Sequence, residues 1–150
     1  MPVIHVSDYV SSERVAFWDS ASKEEVLKSL CEISRGKVGD PDLFLEAVFQ
    51  REAIMSTGLG MGVAFPHVKI PSIPEFFITI GIIRGDGVEW DSFDGNPVKV
   101  VFLIGGPDGQ QTRYLGILSK LSLIVKNERV RNKLFDASSP EDVMGILEKY

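Results

Sequence analysis

The segment from Ser56 to His67, Ser-Thr-Gly-Leu-Gly-Met-Gly-Val-Ala-Phe-Pro-His, constrains this chain more than any other stretch. Gly58, Gly60 and Gly62 fall at alternate positions. Glycine takes φ > 0 without a steric penalty, so the segment can fold tightly and let another backbone or a ligand come close. Pro66 fixes its own φ and biases Phe65 towards an extended conformation. His67 is thereby carried on a stiff spacer at the exit of a short apolar strand. It is the candidate chemical centre.

The rest of the chain bounds what that centre can belong to. With 150 residues, 44% hydrophobic and 25% charged, the expectation is one domain over residues 1–150 with a sizeable core. The net charge of −5 gives no support to nucleic-acid or membrane-surface binding, both of which favour a basic excess. No apolar run approaches the roughly 20 residues of a membrane-spanning helix. No basic-then-apolar leader opens the chain either, so a cytoplasmic location without membrane insertion is expected. The single cysteine, Cys31, excludes an internal disulfide and reads as a small buried hydrophobe.

Periodicity and capping place the elements. Val3–Val10 and Arg14–Trp18 read as extended. Ser22-Lys23-Glu24-Glu25 matches a capping box, in which Ser22 caps and Glu25 reaches back. It opens an amphipathic helix over residues 23–35, with Val26, Leu27, Leu30, Cys31 and Ile33 inside and Gly36 at its end. Asp40-Pro41 starts the next helix, which buries Leu43, Phe44, Ala47 and Val48. Arg51 and Glu52 lie in its last turn, where an arginine ordinarily complements the helix dipole.

Beyond His67, residues 68–74 read as a loop, because Pro71 and Pro74 oppose a central strand. Phe76–Ile83 reads as a fully buried strand. Val88–Phe93 and Val98–Ile104 read as a hairpin around Asp94-Gly95-Asn96-Pro97. A long helix follows Gly109, with Leu115, Leu118, Leu121, Ser122 and Val125 on its apolar face. Asn127 caps a short helix and Ser139-Pro140 opens the last one. Lys120, Lys126, Arg129, Arg131 and Lys133 read as solvated helix faces. Interleaved helices and strands imply an α/β fold, a mixed β-sheet flanked by helices on both faces.

The chemistry open to His67 narrows by elimination. A metal site needs three or four ligands, and this histidine has no His or Cys partner at zinc spacing. A hydrolase elbow, Gly-x-Ser-x-Gly, is missing. Glycines spaced by two throughout match neither a dinucleotide fingerprint nor a P-loop. What remains is an imidazole, which with an unperturbed pKa of about 6.5 is largely neutral at cytoplasmic pH and then has one nitrogen free to attack a phosphoryl group. Arg51 offers a planar bidentate donor, and Thr57 with the glycine-rich backbone N–H groups offers an anion-binding concavity. A satisfied structural histidine beside a turn fits the same residues. Spacing alone leaves both readings open.

Arg51-Glu52 followed by the segment from Ser56 to His67 resembles the signature of type-2 enzyme IIA domains. These belong to the bacterial phosphoenolpyruvate-dependent sugar phosphotransferase system, in its fructose/mannitol and nitrogen-regulatory branches. The family pattern is Arg-Glu, Ser-Thr, a Gly-rich turn and an Ala-x-Pro-His ending. The likeness extends to Ser22-Lys23-Glu24-Glu25, Asp94-Gly95-Asn96-Pro97-Val98 and Leu118-Ser119-Lys120-Leu121. It implies a mixed sheet sandwiched by helices, with His67 accepting phosphate on Nε2 from the histidine-containing phosphocarrier protein HPr or a paralogue. It implies Arg51 as the arginine that steadies the phosphate, with Glu52 and Thr57 at matching positions. A IIB domain or a regulated target protein is the implied next partner, and neither a cofactor nor a metal is implied.

One departure stands out. In many members a second histidine opens the long helix near the active one, and here Tyr114 takes its place. A phenol carries no positive charge near neutral pH. Lys69 stands where members often carry a basic residue. The missing second histidine and the free-standing chain lean towards a nitrogen-regulatory IIA that controls partners through its phosphorylation state. A sugar-transport IIA passing phosphate to a IIB domain, and a degenerate interaction domain without phosphorylation, are the alternatives.

Overall fold

The structure is a computed structural model that describes residues 3–150. Strands β5 (Phe77–Ile83) and β6 (Val100–Gly106) are buried along their whole length. Segments without a polar face belong in the middle of a covered sheet. They pair antiparallel there, with Ile78 opposite Ile104 and Ile82 opposite Val100. Strand β1 (Val15–Trp18) adds parallel to β5. On the other side β3 (Val63–Ala64) and β4 (His67–Lys69) both add parallel to β6, and β2 (Gly58–Gly60) pairs antiparallel with β3 at the edge. The order β1-β5-β6-β3-β2, with β4 also on β6, makes a mixed six-stranded sheet.

Alternate residues of a strand face opposite sides, so β5 and β6 feed two cores. Helices α1 (Lys23–Ile33), α2 (Arg35–Val38) and α3 (Pro41–Ile54) cover one face, packing Leu27, Leu30, Phe44 and Val48 against Phe77, Val101 and Leu103. Helices α4 (Gln111–Lys126), α5 (Glu128–Phe135) and α6 (Pro140–Leu147) cover the other, packing Ile117, Leu121, Leu134 and Val143 against Ile78, Ile80 and Phe102. The expected α/β layering, helices on both faces of a mixed sheet, is the observed one. Ser22, Asp40, Asn127 and Ser139 each cap a helix by accepting from a backbone N–H in its first turn. Cys31 is buried, and burial pushes its thiol up to about 12. Among the described residues no helix is long and apolar enough to cross a membrane.

Several local expectations are corrected. Val3–Val10 is not extended: Val6–Asp8 forms a 3₁₀ turn that drives Val6 fully into the core. Gly36 does not end the first helical stretch, which runs on as α2 to Gly39, at φ +72°. Leu43 and Leu115 are exposed, and α4 instead buries Tyr114, Ile117, Leu121, Ile124 and Val125. The Val88–Phe93 strand does not form, and one bridge, Val88 to Val98, is all that remains of the hairpin. Trp90 is fully buried and Asp91 sits at φ +57°, which an extended strand cannot contain. The antiparallel pairing comes from β5–β6 and β2–β3 instead.

The segment after His67 also differs from the expected loop, since β4 continues to Lys69. Val63 faces Val100 and His67 faces Ile104, one constant register on both sides of Phe65-Pro66. β3 and β4 are thus a single strand interrupted by a proline. Pro66 has no N–H for the ladder, yet its carbonyl still accepts from the Ile104 N–H at 2.9 Å. This interruption positions the site.

Candidate functional site

His67 emerges from the proline interruption held at three points. The Phe65 N–H donates to the Thr57 carbonyl (3.0 Å), Pro66 is tied to Ile104, and His67 itself pairs with β6. The ring is then fixed by its own backbone, with Nδ1 2.8 Å from the Phe65 carbonyl oxygen. A carbonyl only accepts, so Nδ1 carries the proton and donates. In the neutral ring Nε2 therefore keeps its lone pair, and the residue as a whole is only half-buried.

Beneath this segment lies a carboxylate. Glu52, in the last turn of α3, has a side chain only 6% exposed and pairs with Lys23 Nζ at 2.8 Å. It also accepts from the Thr57 N–H (2.8 Å) and from the Thr57 hydroxyl. Trp90 Nε1 donates to the same hydroxyl oxygen (3.3 Å), and Ser56 Oγ donates to the Trp90 carbonyl (2.6 Å). The Gly58 N–H donates to Ser56 Oγ, and the Met61 N–H to Asp94 Oδ2. Gly60, Met61 and Gly62 all take positive φ in the β2–β3 turn, which explains the glycines flanking Met61. Of the donors expected to form an anion-binding concavity, the Thr57, Gly58 and Met61 N–H groups are committed to acceptors within the protein. Thr57 is 5% exposed and supports the strand that bears His67.

An aromatic ring lies beside the imidazole, and the charges of two cations act on it. Arg51 donates from Nη1 to the Met55 carbonyl at the end of α3 (2.8 Å). Its charge also acts on the His67 and Tyr114 rings, lowering the pKa of each. The Tyr114 ring centroid lies 5.8 Å from that of His67. Burial raises the Tyr114 pKa, opposed by Arg51, and the phenol stays neutral at neutral pH. Lys69, two residues beyond His67, holds its ammonium 4.5 Å from the centre of the Tyr114 ring.

Burial lowers the pKa of His67 from its ordinary 6.5. The charges of Arg51 and Lys69 act the same way, while the Phe65 hydrogen bond and Glu52 oppose them. The unfolded chain therefore takes up the proton first as pH falls. The stability linked to this histidine is complete above 6.5 and is lost as pH drops from there through the lower folded value. An NMR titration of the His67 ring is expected to show a midpoint below 6.5; a midpoint above it would mean that a counter-charge outweighs burial and both cations.

The structure thus sets Tyr114 beside His67, places Glu52 and Thr57 as support for the strand that bears it, and ties Arg51 to the Met55 carbonyl. Sequence reasoning missed Lys23 and Trp90. Lys23 had a signal, since a cation in the first turn of a helix opposes the helix dipole. Its placement makes sense once it reaches Glu52.

Residues 8–150 match the family described as phosphoenolpyruvate-dependent sugar phosphotransferase system, EIIA 2. The chain belongs to this family. Against the fructose-specific EIIABC component of Bacillus subtilis (strain 168), the EIIA chain is 34% identical over 134 residues, covering 88% of its own length but 21% of that longer protein. Against the fructose-specific EIIA component of Haloferax volcanii it is 32% identical, covering 98% of this chain and 97% of the other. The crystal structure of nitrogen regulatory protein IIA-Ntr from Neisseria meningitidis matches with a TM-score of 0.87 at 27% identity, over 95% of this chain and 98% of that one. The EIIA fold and family are therefore established, with both sugar-specific and nitrogen-regulatory relatives.

Proposed function

We propose that this EIIA domain is a phosphoryl carrier that accepts phosphate on Nε2 of His67 from an HPr-like phosphocarrier protein. The observation that carries the reading is the Nδ1–H bond to the Phe65 carbonyl, which leaves Nε2 as the nucleophilic nitrogen. The Nε2 lone pair attacks phosphorus, and the Nε2–P bond forms as the donor's N–P bond breaks. The donor imidazole leaves with that electron pair. The His67 Nδ1 proton stays in place, and the Phe65 carbonyl offsets the positive charge that the substituted ring acquires. Arg51 and Lys69 offset the charge on the phosphoryl oxygens, which is most of what such a transfer asks of a protein.

The test uses labelled phosphoenolpyruvate with enzyme I and HPr. Wild type is expected to take up label and His67→Ala to take up none. Arg51→Ala is expected to slow uptake about tenfold, and an unchanged rate would remove Arg51 from the site. Label retained in His67→Ala would overturn the assignment of the acceptor.

The finer reading is a nitrogen-regulatory IIA. Phosphorylation adds roughly −1.5 to −2 charges, by analogy with other phospho-residues, and so changes docking to a regulated target protein. The likeness to IIA-Ntr over nearly the whole chain supports it. The end-to-end match to a fructose-specific EIIA component favours a second reading, transfer to a IIB domain during sugar uptake. Onward passage of label to a IIB domain selects transport, and its failure with a competent IIB selects regulation.

A further inference from the structure

We propose that Tyr114 and Gln111 are positioning residues that hold the Lys69 ammonium beside His67, so that Lys69 supplies the second positive charge at the Nε2 face. The inference deepens the phosphohistidine reading and rests on it. His67 and Lys69 lie two apart on β4 with the buried Val68 between them, so both side chains leave the same face of the strand. One ring lies against both. The Tyr114 centroid is 5.8 Å from the His67 ring and 4.5 Å from Lys69 Nζ. A cation over an aromatic face is attracted by the ring quadrupole.

Gln111, one turn earlier on α4, fixes the ammonium from the other side, with Lys69 Nζ donating to Gln111 Oε1 at 2.5 Å. The platform is itself rigid. Tyr114 is 7% exposed and stacks on Phe76, with centroids 6.1 Å apart and planes 19° from parallel. A lysine on a flexible stem ordinarily spreads its charge over many rotamers. Here two α4 side chains confine it where its field already acts on the imidazole. Tyr114 acts through its face, as a support for a charge it does not carry.

The experiment reads two quantities for Lys69→Met, Tyr114→Leu, Gln111→Ala and the double variant Lys69→Met/Tyr114→Leu. One is the NMR titration midpoint of the His67 ring, which needs no phosphorylation. The other is the rate of label uptake from phosphorylated HPr. Lys69→Met is expected to raise the His67 midpoint and slow uptake about tenfold. Tyr114→Leu and Gln111→Ala are expected to shift both readings in the same direction, with rates down about threefold. Tyr114→Leu should add little in the Lys69→Met background, and phenylalanine at 114 should recover the rate lost with leucine.

Full additivity of the Lys69 and Tyr114 changes would overturn the proposal, as would phenylalanine and leucine at 114 being equally slow. Unmoved His67 midpoints in both Tyr114→Leu and Gln111→Ala would do the same. A wild-type protein that takes no label but shows the expected midpoint shifts would sink the phosphoryl-carrier reading while upholding the placement of the Lys69 charge.

Discussion

Gly106→Ala is expected to lower the free energy of unfolding by about 3 kcal/mol and to slow the proposed phosphorylation of His67 at the same time. Gly106 closes β6 opposite Lys69 of β4, and its carbonyl accepts from the Ile70 N–H at 3.0 Å. A methyl group there would stand 2.0 Å from Cδ1 and 2.2 Å from Cε1 of Phe76. No rotamer of a close-packed ring absorbs such an overlap. Phe76 must swing out to solvent, or push Tyr114, on which it stacks. Either motion disturbs the surface that supports His67 and Lys69, so the stability loss and the rate loss share one cause. Gly36→Ala is the control, because a Cβ at that position in α2 meets nothing within 4 Å. It is expected to change stability by no more than about 1 kcal/mol, in the stabilising direction. Urea denaturation of both variants decides the matter. A Gly106→Ala loss below about 1 kcal/mol would show that the Phe76–Tyr114 stack gives way freely.

What could be read in advance follows the range of the interactions involved. The starts of α1, α3, α5 and α6 are written in side chains that bond their own first turn, at Ser22, Asp40, Asn127 and Ser139, and local chemistry of that kind survives in any tertiary setting. The capping box at α1 forms only in part: the Glu25 N–H donates to Ser22 Oγ, but among the described residues the Glu25 carboxylate makes no bond back to the Ser22 N–H. β5 was legible because a run with no polar side has few places to go. α4 was harder, since Leu115, Ile117, Leu118, Leu121, Leu123 and Ile124 leave it apolar around most of its circumference. The choice to bury Tyr114 and Ile117 rather than Leu115 is made by what lies beneath, the Phe76 and Phe102 side of the sheet. Residues 88–93 alternate like a strand, and Val88 and Trp90 are buried as that pattern asks, but Asp91 at φ +57° breaks the extended backbone that pairing needs.

The same distinction divides the site. His67, Pro66 and the glycines lie in one continuous segment, and Arg51 and Glu52 directly precede it, so a motif captures them together. Lys23, Trp90 and Gln111 arrive from three other elements. Nothing local announces where their side chains end. The donors of the glycine segment depend on their partners in the same way. Free N–H groups in a turn invite an anion, but whether they stay free depends on Glu52, Ser56 and Asp94. Two of these acceptors lie close in the chain and the third comes from the loop after Trp90.

Glu52→Ala is expected to cost about 3 kcal/mol of stability, the other large effect. The carboxylate is nearly excluded from solvent and serves Lys23, the Thr57 N–H and the Thr57 hydroxyl. Its removal strands two buried donors and one cation, and that penalty exceeds the value of the ion pair alone. Because Glu52 is nearly buried and its bonds to Thr57 do not depend on salt, most of the loss should persist in high salt, with only the share from the partly exposed Lys23 screened. Glu52→Gln keeps an acceptor for Thr57 but turns an amide donor or a neutral oxygen towards Lys23, and about half the loss should return. Because the Thr57 carbonyl holds the Phe65 N–H, and the Phe65 carbonyl holds His67 Nδ1, the damage passes along the chain to the imidazole. Denaturant midpoints and phosphorylation rates should therefore fall in the same order, alanine below glutamine below wild type. If instead Glu52→Ala unfolded at the wild-type denaturant concentration and still lost activity, Glu52 would have to act on the phosphoryl group or its carrier directly, and its assignment as a support for His67 would fall.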